Sequence, residues 1–361
     1  MAVGTVESSG SLAEEWDGAR WTVRRTNHTD ALQAVSCTRI SRCLAVGAFI
    51  NGTDELAVLT EIWNGRRWRT VRSTGLLGQL SAVSCLSASS CVAVGGAPGP
   101  SGDGTAPMAL LWNGQNWHVM PTTSLPRGQL SDVSCTSASF CIATSFSAAA
   151  KWDGQSWQPT AIPAPAGSFV EVSGVSCTSS ARCMAVGNIS PGVRASMRTF
   201  AAVWNGTAWR ILTTPNLSAS NNAVSAVSCK RLACMAVGGY EDSKGVGHNL
   251  ALRWTGARWR NVKIGGPPGL QSVSCPATSG CMAIGNYRSR TRLGRLSGHN
   301  LAEAWNGSTW RTVRTVGPGG GLVGVSCTGP RRCMAVGQAR TLTMAEIWNG
   351  LLWRLLRTPN P

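Results

Sequence analysis

Short apolar runs recur along the chain, each four to six residues long and bounded by glycine, asparagine or serine. In residues 80–120 they occupy positions 80–85, 91–95, 108–112 and 117–120. Runs of this length are typical of β-strands, and the Asn-Gly that follows Trp112 is a strong hairpin signal. The run Ala-Leu-Leu-Trp at 109–112 is apolar on both faces, which indicates a strand covered on both sides. The stretch therefore predicts a four-stranded unit within a stacked all-β structure.

The same four-strand pattern repeats along the whole chain. Val-Ser-Cys occurs seven times at intervals of 42 to 52 residues, and a second cysteine follows each motif. Trp-(Asn/Asp/Thr)-Gly-x-x-Trp occurs eight times, and these pairs contain all 16 tryptophans. Four strands in each repeat of this length are typical of a β-propeller, whereas no apolar stripe of helical period is present. We therefore predict an all-β fold with a single β-propeller domain over residues 1–361.

The chain begins inside a repeat unit. Met1-Ala-Val-Gly matches the second strand of a later unit, which starts at Met334. We predict eight blades, the first of them three-stranded; the alternative is seven blades with an N-terminal overhang. The units cover residues 1–26, 30–74, 80–122, 130–163, 170–216, 224–264, 270–316 and 322–359. Because residues 1–6 lack the features of a signal peptide, we expect the natural start to lie upstream; a cytoplasmic protein that starts at Met1 is the alternative.

The cysteines form seven pairs with nearly constant spacing. They are Cys37/Cys43, Cys85/Cys91, Cys135/Cys141, Cys177/Cys183, Cys229/Cys234, Cys275/Cys281 and Cys327/Cys333. Each pair lies at the two ends of one predicted hairpin turn, where a disulfide can close. Structural zinc favours Cys-x2-Cys spacing, and reduced core cysteines are the remaining alternative. Complete pairing favours seven disulfides and a secreted or cell-envelope location.

The repeated tryptophans and glutamates indicate structural roles. Both tryptophans of each hairpin are expected on one face, where they can stack across the strands or pack on the next blade; a ring of exposed indoles that stack on sugars is the alternative. Four glutamates stand two residues before a tryptophan: Glu14, Glu61, Glu303 and Glu346. We expect them to pair with neighbouring arginines rather than to act in catalysis.

The combined motifs carry a family resemblance. Val-Ser-Cys-Thr-Ser, Cys-Met-Ala-Val-Gly, Trp-Asn-Gly-x-x-Trp-Arg and Thr-Pro-Asn-Pro together resemble an uncharacterised group of secreted repeat proteins from high-GC Gram-positive bacteria. The resemblance covers the whole chain. It implies export and a propeller-like fold, and it supplies no activity and no functional residues.

The composition is strongly basic, with 33 Lys and Arg against 16 Asp and Glu and a net charge of +17. Such a surface attracts polyanions, although the charge can also serve solubility alone. The predicted ligand-binding residues lie in two joining loops: Arg288, Arg290, Arg292, Arg295 and His299 in one, and Arg194 and Arg198 in the other. We expect an anionic polysaccharide or cell-wall polymer as the partner, ahead of nucleic acid. We also expect a monomer without a membrane span, since no run of 18 apolar residues occurs.

Evidence for catalysis is thin in the sequence. Glycoside cleavage needs two carboxylates that converge in one pocket. Asp132 is the single candidate, because it stands on a predicted inner strand where other units carry alanine, glycine or serine. No metal or cofactor motif is visible. We predict a non-catalytic binding or scaffold propeller, with a glycan-cleaving enzyme that uses Asp132 near the propeller axis as the alternative.

Overall fold

The computed structural model describes most of the chain and divides it into two compact units. The described residues are 2–6, 10–16, 21–25, 31–39, 42–51, 53, 55–64, 68–71, 75–99, 104–192, 195–290, 295–317, 321–339 and 342–356. The first unit comprises Met1–Ala161 with Pro359–Pro361, and the second comprises Ile162–Thr358. All regular structure in the described residues is β-strand, as predicted.

The first unit contains one three-stranded and three four-stranded antiparallel sheets. Their strands follow chain order: β1 (Ala2–Val6), β2 (Gly10–Trp16) and β3 (Trp21–Arg25); β4 (Ala31–Arg39), β5 (Arg42–Ile50), β6 (Leu56–Trp63) and β7 (Trp68–Thr70); β8 (Gln79–Ser87), β9 (Ser90–Pro98), β10 (Thr105–Trp112) and β11 (Trp117–Met120); β12 (Leu130–Ser137), β13 (Phe140–Ser145), β14 (Ala149–Trp152) and β15 (Trp157–Thr160). The three-stranded first sheet agrees with the prediction of an incomplete first unit.

The second unit contains four sheets of the same kind. Their strands are β16 (Phe169–Ser179), β17 (Arg182–Ser190), β18 (Arg198–Trp204) and β19 (Trp209–Ile211); β20 (Asn222–Lys230), β21 (Ala233–Glu241), β22 (Gly247–Trp254) and β23 (Trp259–Asn261); β24 (Leu270–Ala277), β25 (Gly280–Arg290), β26 (Leu296–Trp305) and β27 (Trp310–Thr312); β28 (Gly321–Gly329), β29 (Arg332–Ala339), β30 (Leu342–Trp348) and β31 (Trp353–Leu356). Closure into one eight-bladed ring and a single domain over residues 1–361 stay predictions.

Each hydrophobic core lies between two successive sheets. In the first unit, Val94 and Met120 from one sheet pack with Leu130 and Trp157 from the next. In the second unit, Val237 and Leu301 belong to a core shared by the sheets β20–β23 and β24–β27. The middle strands β9 and β22 are covered on both faces because a sheet packs against each side, as the doubly apolar runs predict.

Disulfides close the hairpins between the first and second strands. Six join paired cysteines with Cα atoms 3.9 to 4.1 Å apart: Cys85–Cys91, Cys135–Cys141, Cys177–Cys183, Cys229–Cys234, Cys275–Cys281 and Cys327–Cys333. The side chains of Cys37 and Cys43 lie outside the described residues, although the two positions are paired in register. The predicted pairing is thus confirmed for six of the seven pairs.

The tryptophan hairpins have the predicted geometry. Trp112 pairs with Trp117 across a four-residue turn, and their ring centroids are 5.4 Å apart. The Asn113 carboxamide oxygen accepts hydrogen bonds from the amides of Gln115 and Asn116, which fixes the turn. Five later pairs repeat the tilted packing at 5.6 to 5.8 Å. The rings therefore pack in the hydrophobic cores. Four of them are at most 1% exposed: Trp112, Trp157, Trp204 and Trp353.

The strands extend beyond the bounds that the sequence predicts. β25 continues to Arg290 and pairs with β26 from Leu296 onward, so Arg288 and Arg290 lie in a strand. Their predicted place in a loop outside the strands is wrong. Arg198 is likewise the first residue of β18, where it pairs with Ile189. Longer strands pair backbone N–H and C=O groups that would hydrogen-bond to water in a loop. Residues 286–290 contain no glycine or proline that would interrupt the strand.

Candidate functional site

The hairpin β25–β26 projects beyond its own sheet and carries much of the predicted binding cluster. Residues 286–290 pair with 296–300, whereas β27 pairs only with residues 303–305. We call residues 286–290 and 295–300 the basic hairpin. Side chains alternate between the faces of a strand, so Arg288 and Arg290 share one face and Tyr287 and Ser289 share the other. Arg288, Arg290 and Arg295 are all exposed, which gives the hairpin a cationic surface.

The opposite face of the basic hairpin carries an aromatic pair. The rings of Tyr287 and His299 stack with centroids 4.8 Å apart and planes 19° from parallel. Ser289 Oγ lies 2.8 Å from His299 Nε2, within hydrogen-bond distance. Tyr287 also packs against the core between the sheets β20–β23 and β24–β27. His299 therefore stabilises the projecting hairpin through its contacts with Tyr287 and Ser289, and it also forms part of the hairpin surface.

A second hairpin, β21–β22, repeats the aromatic pair. Tyr240 and His248 stack with centroids 5.0 Å apart, and His248 Nε2 lies 3.0 Å from an Asp242 carboxylate oxygen. The hydrogen bond with His248, followed by those from the Val246 and Lys244 amides, holds the pKa of Asp242 below its usual range. The protein has two tyrosines. Each stacks on a histidine of its own sheet, and the two sheets are adjacent.

Sequence reasoning missed the pair Tyr240 and His248. A signal was present: Gly-x-Tyr at the end of one strand is followed by His-Asn-Leu-Ala in the next, at 238–240 with 248–251 and at 285–287 with 299–302. Stacking also requires the two residues to be opposite in register, as Tyr240 and His248 are. That register depends on strand extension, which the apolar pattern did not indicate.

The remaining predicted ligand residues do not join one cluster. Arg198 is exposed at the start of β18, in the sheet β16–β19 rather than in the basic hairpin. Arg194 and Arg292 lie outside the described residues. The structure therefore brings together Arg288, Arg290, Arg295 and His299 of the seven residues predicted to bind ligand.

Asp132 lies in β12 beside a register shift. Its side chain is half-buried, and Oδ1 accepts a 2.8 Å hydrogen bond from the amide of Val133. Among the residues that the structure describes, no group of three or more His, Cys, Asp or Glu side chains is placed to hold a metal ion. The geometry gives Asp132 a local structural contact, and its catalytic assignment stays a prediction.

Two repeat glutamates are buried, and neither pairs with an arginine among the residues that the structure describes. Glu303 accepts a 2.7 Å hydrogen bond from the Thr312 hydroxyl, and Glu346 accepts from the amides of Val316 and Gly317 at 3.1 and 3.0 Å. The predicted pairing with arginine is wrong for both, because hydroxyl and backbone donors from the preceding loop or neighbouring strand occupy these carboxylates. Burial raises the pKa of both, that of Glu303 to about 7. The side chains of Glu14 and Glu61 lie outside the described residues.

Comparisons with known proteins bear on the fold. The sequence matches no protein-family model and no curated protein. The computationally designed Ika8 protein is 11% identical with a TM-score of 0.59, over 96% of both chains. YCF48 bound to D1 peptide is 13% identical with a TM-score of 0.52, over 96% of this chain and 98% of that one. The GH74 xyloglucanase from Xanthomonas campestris is 12% identical with a TM-score of 0.51, over 99% of this chain and 66% of that one.

These likenesses concern the fold alone. Together with the succession of four-stranded antiparallel sheets, they confirm the predicted all-β, propeller-like class. The disulfides are consistent with an extracellular location. In the part of the chain that the structure describes, no helix has the length and apolarity needed to cross a bilayer.

Proposed function

We propose that the protein is a secreted, non-catalytic binding propeller that holds anionic polysaccharide, such as acidic cell-wall glycan, on the basic hairpin. The observation that carries this proposal is the exposure of Arg288, Arg290 and Arg295 on a two-stranded projection that the repeat does not require. The net charge of +17 adds a long-range attraction for polyanions. Arginine suits carboxylate-rich polymers because its planar fork can donate two parallel hydrogen bonds.

The surroundings of the hairpin favour a glycan over nucleic acid. Disulfides favour an oxidising, extracellular compartment, where an extracellular glycan is a more accessible partner than intracellular nucleic acid. Single-stranded nucleic acid would call for a row of exposed rings on which bases stack. The basic hairpin offers Tyr287 and His299, which are half-buried and stacked on each other. One propeller-like neighbour, YCF48, was solved with a bound peptide, which supports the use of such a fold for binding.

The test compares two triple variants of equal charge. The first replaces Arg288, Arg290 and Arg295 by serine. The control replaces Arg210, Arg260 and Arg314, three exposed arginines of the same unit. We expect polygalacturonate binding to weaken at least tenfold in the hairpin variant and much less in the control. Binding by the wild type should also weaken steeply as salt rises, because screening and counterion release both oppose it.

Equal losses in the two variants would show that net charge, rather than the hairpin, causes binding. Tighter binding of duplex DNA than of polygalacturonate would reject the glycan assignment. Release of new reducing ends during incubation, lost in Asp132→Asn, would favour the glycan-cleaving alternative. Dextran, a neutral polymer, serves as the negative control and should not bind.

A further inference from the structure

A cavity of about 180 Å³ lies between the sheets β4–β7 and β8–β11, at the end where these sheets carry the disulfide turn and the tryptophan hairpin. Its lining includes Arg42, Ile62, Arg69 and Trp112. Both arginines are exposed, whereas Trp112 is 1% exposed. The cavity thus has an apolar floor at Ile62 and Trp112 and a cationic rim, and its walls also include the polar residues Ser36, Thr38 and Ser87.

Two equivalent grooves in the second unit are covered by arginines of the protein itself. The groove between β20–β23 and β24–β27 retains only about 10 Å³. There the guanidinium of Arg253 lies 5.7 Å from the ring centroid of Trp305. Between β24–β27 and β28–β31, the guanidinium of Arg311 lies 5.9 Å from the ring centroid of Trp348. In both places an arginine of one sheet therefore covers the tryptophan of the next sheet.

The open groove differs from the groove of Arg253 at the repeat position that Arg253 occupies. Ile62 stands immediately before the third-strand tryptophan, at the place that Arg253 occupies in its own unit. Isoleucine is too short to reach across the groove as Arg253 does. Trp112 is the counterpart of Trp305, and Arg69 is the counterpart of Arg311. The groove thus keeps its indole floor and loses the guanidinium that fills its equivalent.

The rim of the cavity selects for negative charge. Within the part of the chain that the structure describes, neither Arg42 nor Arg69 is paired with a carboxylate. Two cations that border one concave site repel each other, and an anion between them relieves that repulsion. Guanidinium forks match carboxylates in geometry. Ile62 and Trp112 in turn favour an apolar body attached to that anion.

We propose that this cavity binds a small organic carboxylate whose ring lies between Ile62 and Trp112 and whose carboxylate is held by Arg42 and Arg69. The volume fits: about 180 Å³ equals the liquid volume of roughly six waters, enough for a six-membered ring that carries one carboxylate. Inorganic phosphate would satisfy the arginines and leave the apolar floor uncovered. This site is independent of the basic hairpin and of the polysaccharide proposed to bind there.

Calorimetric titration with benzoate, inorganic phosphate and benzyl alcohol separates the contributions of charge and ring. Benzoate should bind to the intact protein at least tenfold more tightly than either of the others. Arg69→Gln should weaken benzoate binding at least tenfold. The matched control is Arg210→Gln, which changes the same repeat position in another sheet and should leave affinity unchanged.

A filling variant tests the shape of the site. Ile62→Arg should abolish benzoate binding, because the new guanidinium can occupy the cavity as Arg253 does in its groove. Unchanged binding in Arg69→Gln, equal affinity for phosphate and benzoate, or no benzoate binding at all would each overturn the proposal. If Ile62→Arg does not fold, Arg69→Gln still tests the proposal, because Arg69 is exposed. The fold of the Arg69→Gln variant is checked by comparing its circular dichroism spectrum and melting temperature with those of the wild type.

Discussion

The backbone amide of Cys85 donates a 3.1 Å hydrogen bond to the hydroxyl oxygen of Ser36, which lies in the preceding sheet. Four further contacts repeat it at 3.1 to 3.2 Å: Cys135 to Ser84, Cys229 to Ser176, Cys275 to Ser228 and Cys327 to Ser274. In these five places the serine hydroxyl of one Val-Ser-Cys motif accepts a hydrogen bond from the cysteine amide of the next motif. This relationship explains why a polar residue stands between a core valine and a disulfide-bonded cysteine.

Replacing one of these serines should destabilise the protein. Ser84→Ala leaves the half-buried Cys135 amide without its acceptor, which costs about 1–3 kcal/mol of unfolding free energy. The matched control is Ser89→Ala, because the Ser89 hydroxyl lies near that of Ser87 within the same exposed turn. Urea unfolding of both variants measures the difference. Equal destabilisation by the two substitutions would contradict the inter-sheet role of the motif serine.

The disulfides should be formed in protein made in an oxidising compartment. Titration of thiols in denaturant without reductant is expected to find almost none of the 14 cysteines free. Loss of one pair, as in Cys135→Ala with Cys141→Ala, should cost about 2–2.5 kcal/mol on the chain-entropy model for so short a loop. Finding most thiols free would contradict both the pairing and the expected export.

Substitution of the glycine in the tryptophan hairpin should destabilise the protein for two separable reasons. Gly114 and Gly256 have φ of 99° and 93°, where residues with a Cβ are strained. A Cβ on Gly256 would meet no atom within 4 Å, whereas one on Gly114 would lie 2.7 Å from the Ser89 Cβ. Gly256→Ala should therefore cost about 1–2 kcal/mol from the backbone alone, and Gly114→Ala should cost more. Thermal melting of both variants decides the order; a smaller loss at Gly114 would contradict this reading.

Sequence periodicity predicts much of this fold because each unit is specified by local signals. Val-Ser-Cys marks the first strand, and Asn-Gly marks the turn between Trp112 and Trp117. The extension of β25 to Arg290 was missed because it depends on pairing with residues 296–300, which the apolar pattern does not indicate. The donors to Glu346 were missed for a related reason. Backbone amides of Val316 and Gly317 carry no side-chain signature in the sequence.

The candidate sites were predictable to different degrees. Basic residues crowded into residues 288–299 can be read directly from the sequence. The stacking of Tyr287 on His299 depends on a strand register that composition does not reveal. The cavity above Trp112 is identified as a candidate site only by comparing equivalent grooves, because the guanidinium of Arg253 fills one of them. Sequence patterns therefore predict the repeated scaffold better than the departures from it.

The buried carboxyl of Glu303 should make stability depend on pH. Its side chain is 0% exposed; one oxygen accepts the Thr312 hydroxyl, and the other has no partner among the described residues. Desolvation raises its pKa in the folded protein to about 7 from an ordinary value of 4.5. The folded state thus binds this proton more tightly than the unfolded state does. The resulting stabilisation is complete below pH 4.5 and is lost as pH rises toward 7.

Glu303→Gln keeps the shape of the side chain and removes its ionisation, so it isolates this effect. At pH 5 the wild-type carboxyl is mostly protonated, and the two proteins should be similar in stability. At pH 8 the wild type carries a buried charge, and the variant should unfold at higher urea concentration. Glu241→Gln, at an exposed carboxylate, serves as the control for loss of one negative charge. Because all other titrating groups are common to the compared proteins, the difference between pH 5 and pH 8 reports on Glu303. A difference between Glu303→Gln and wild type that stays constant over this range would show that the carboxyl does not change protonation there.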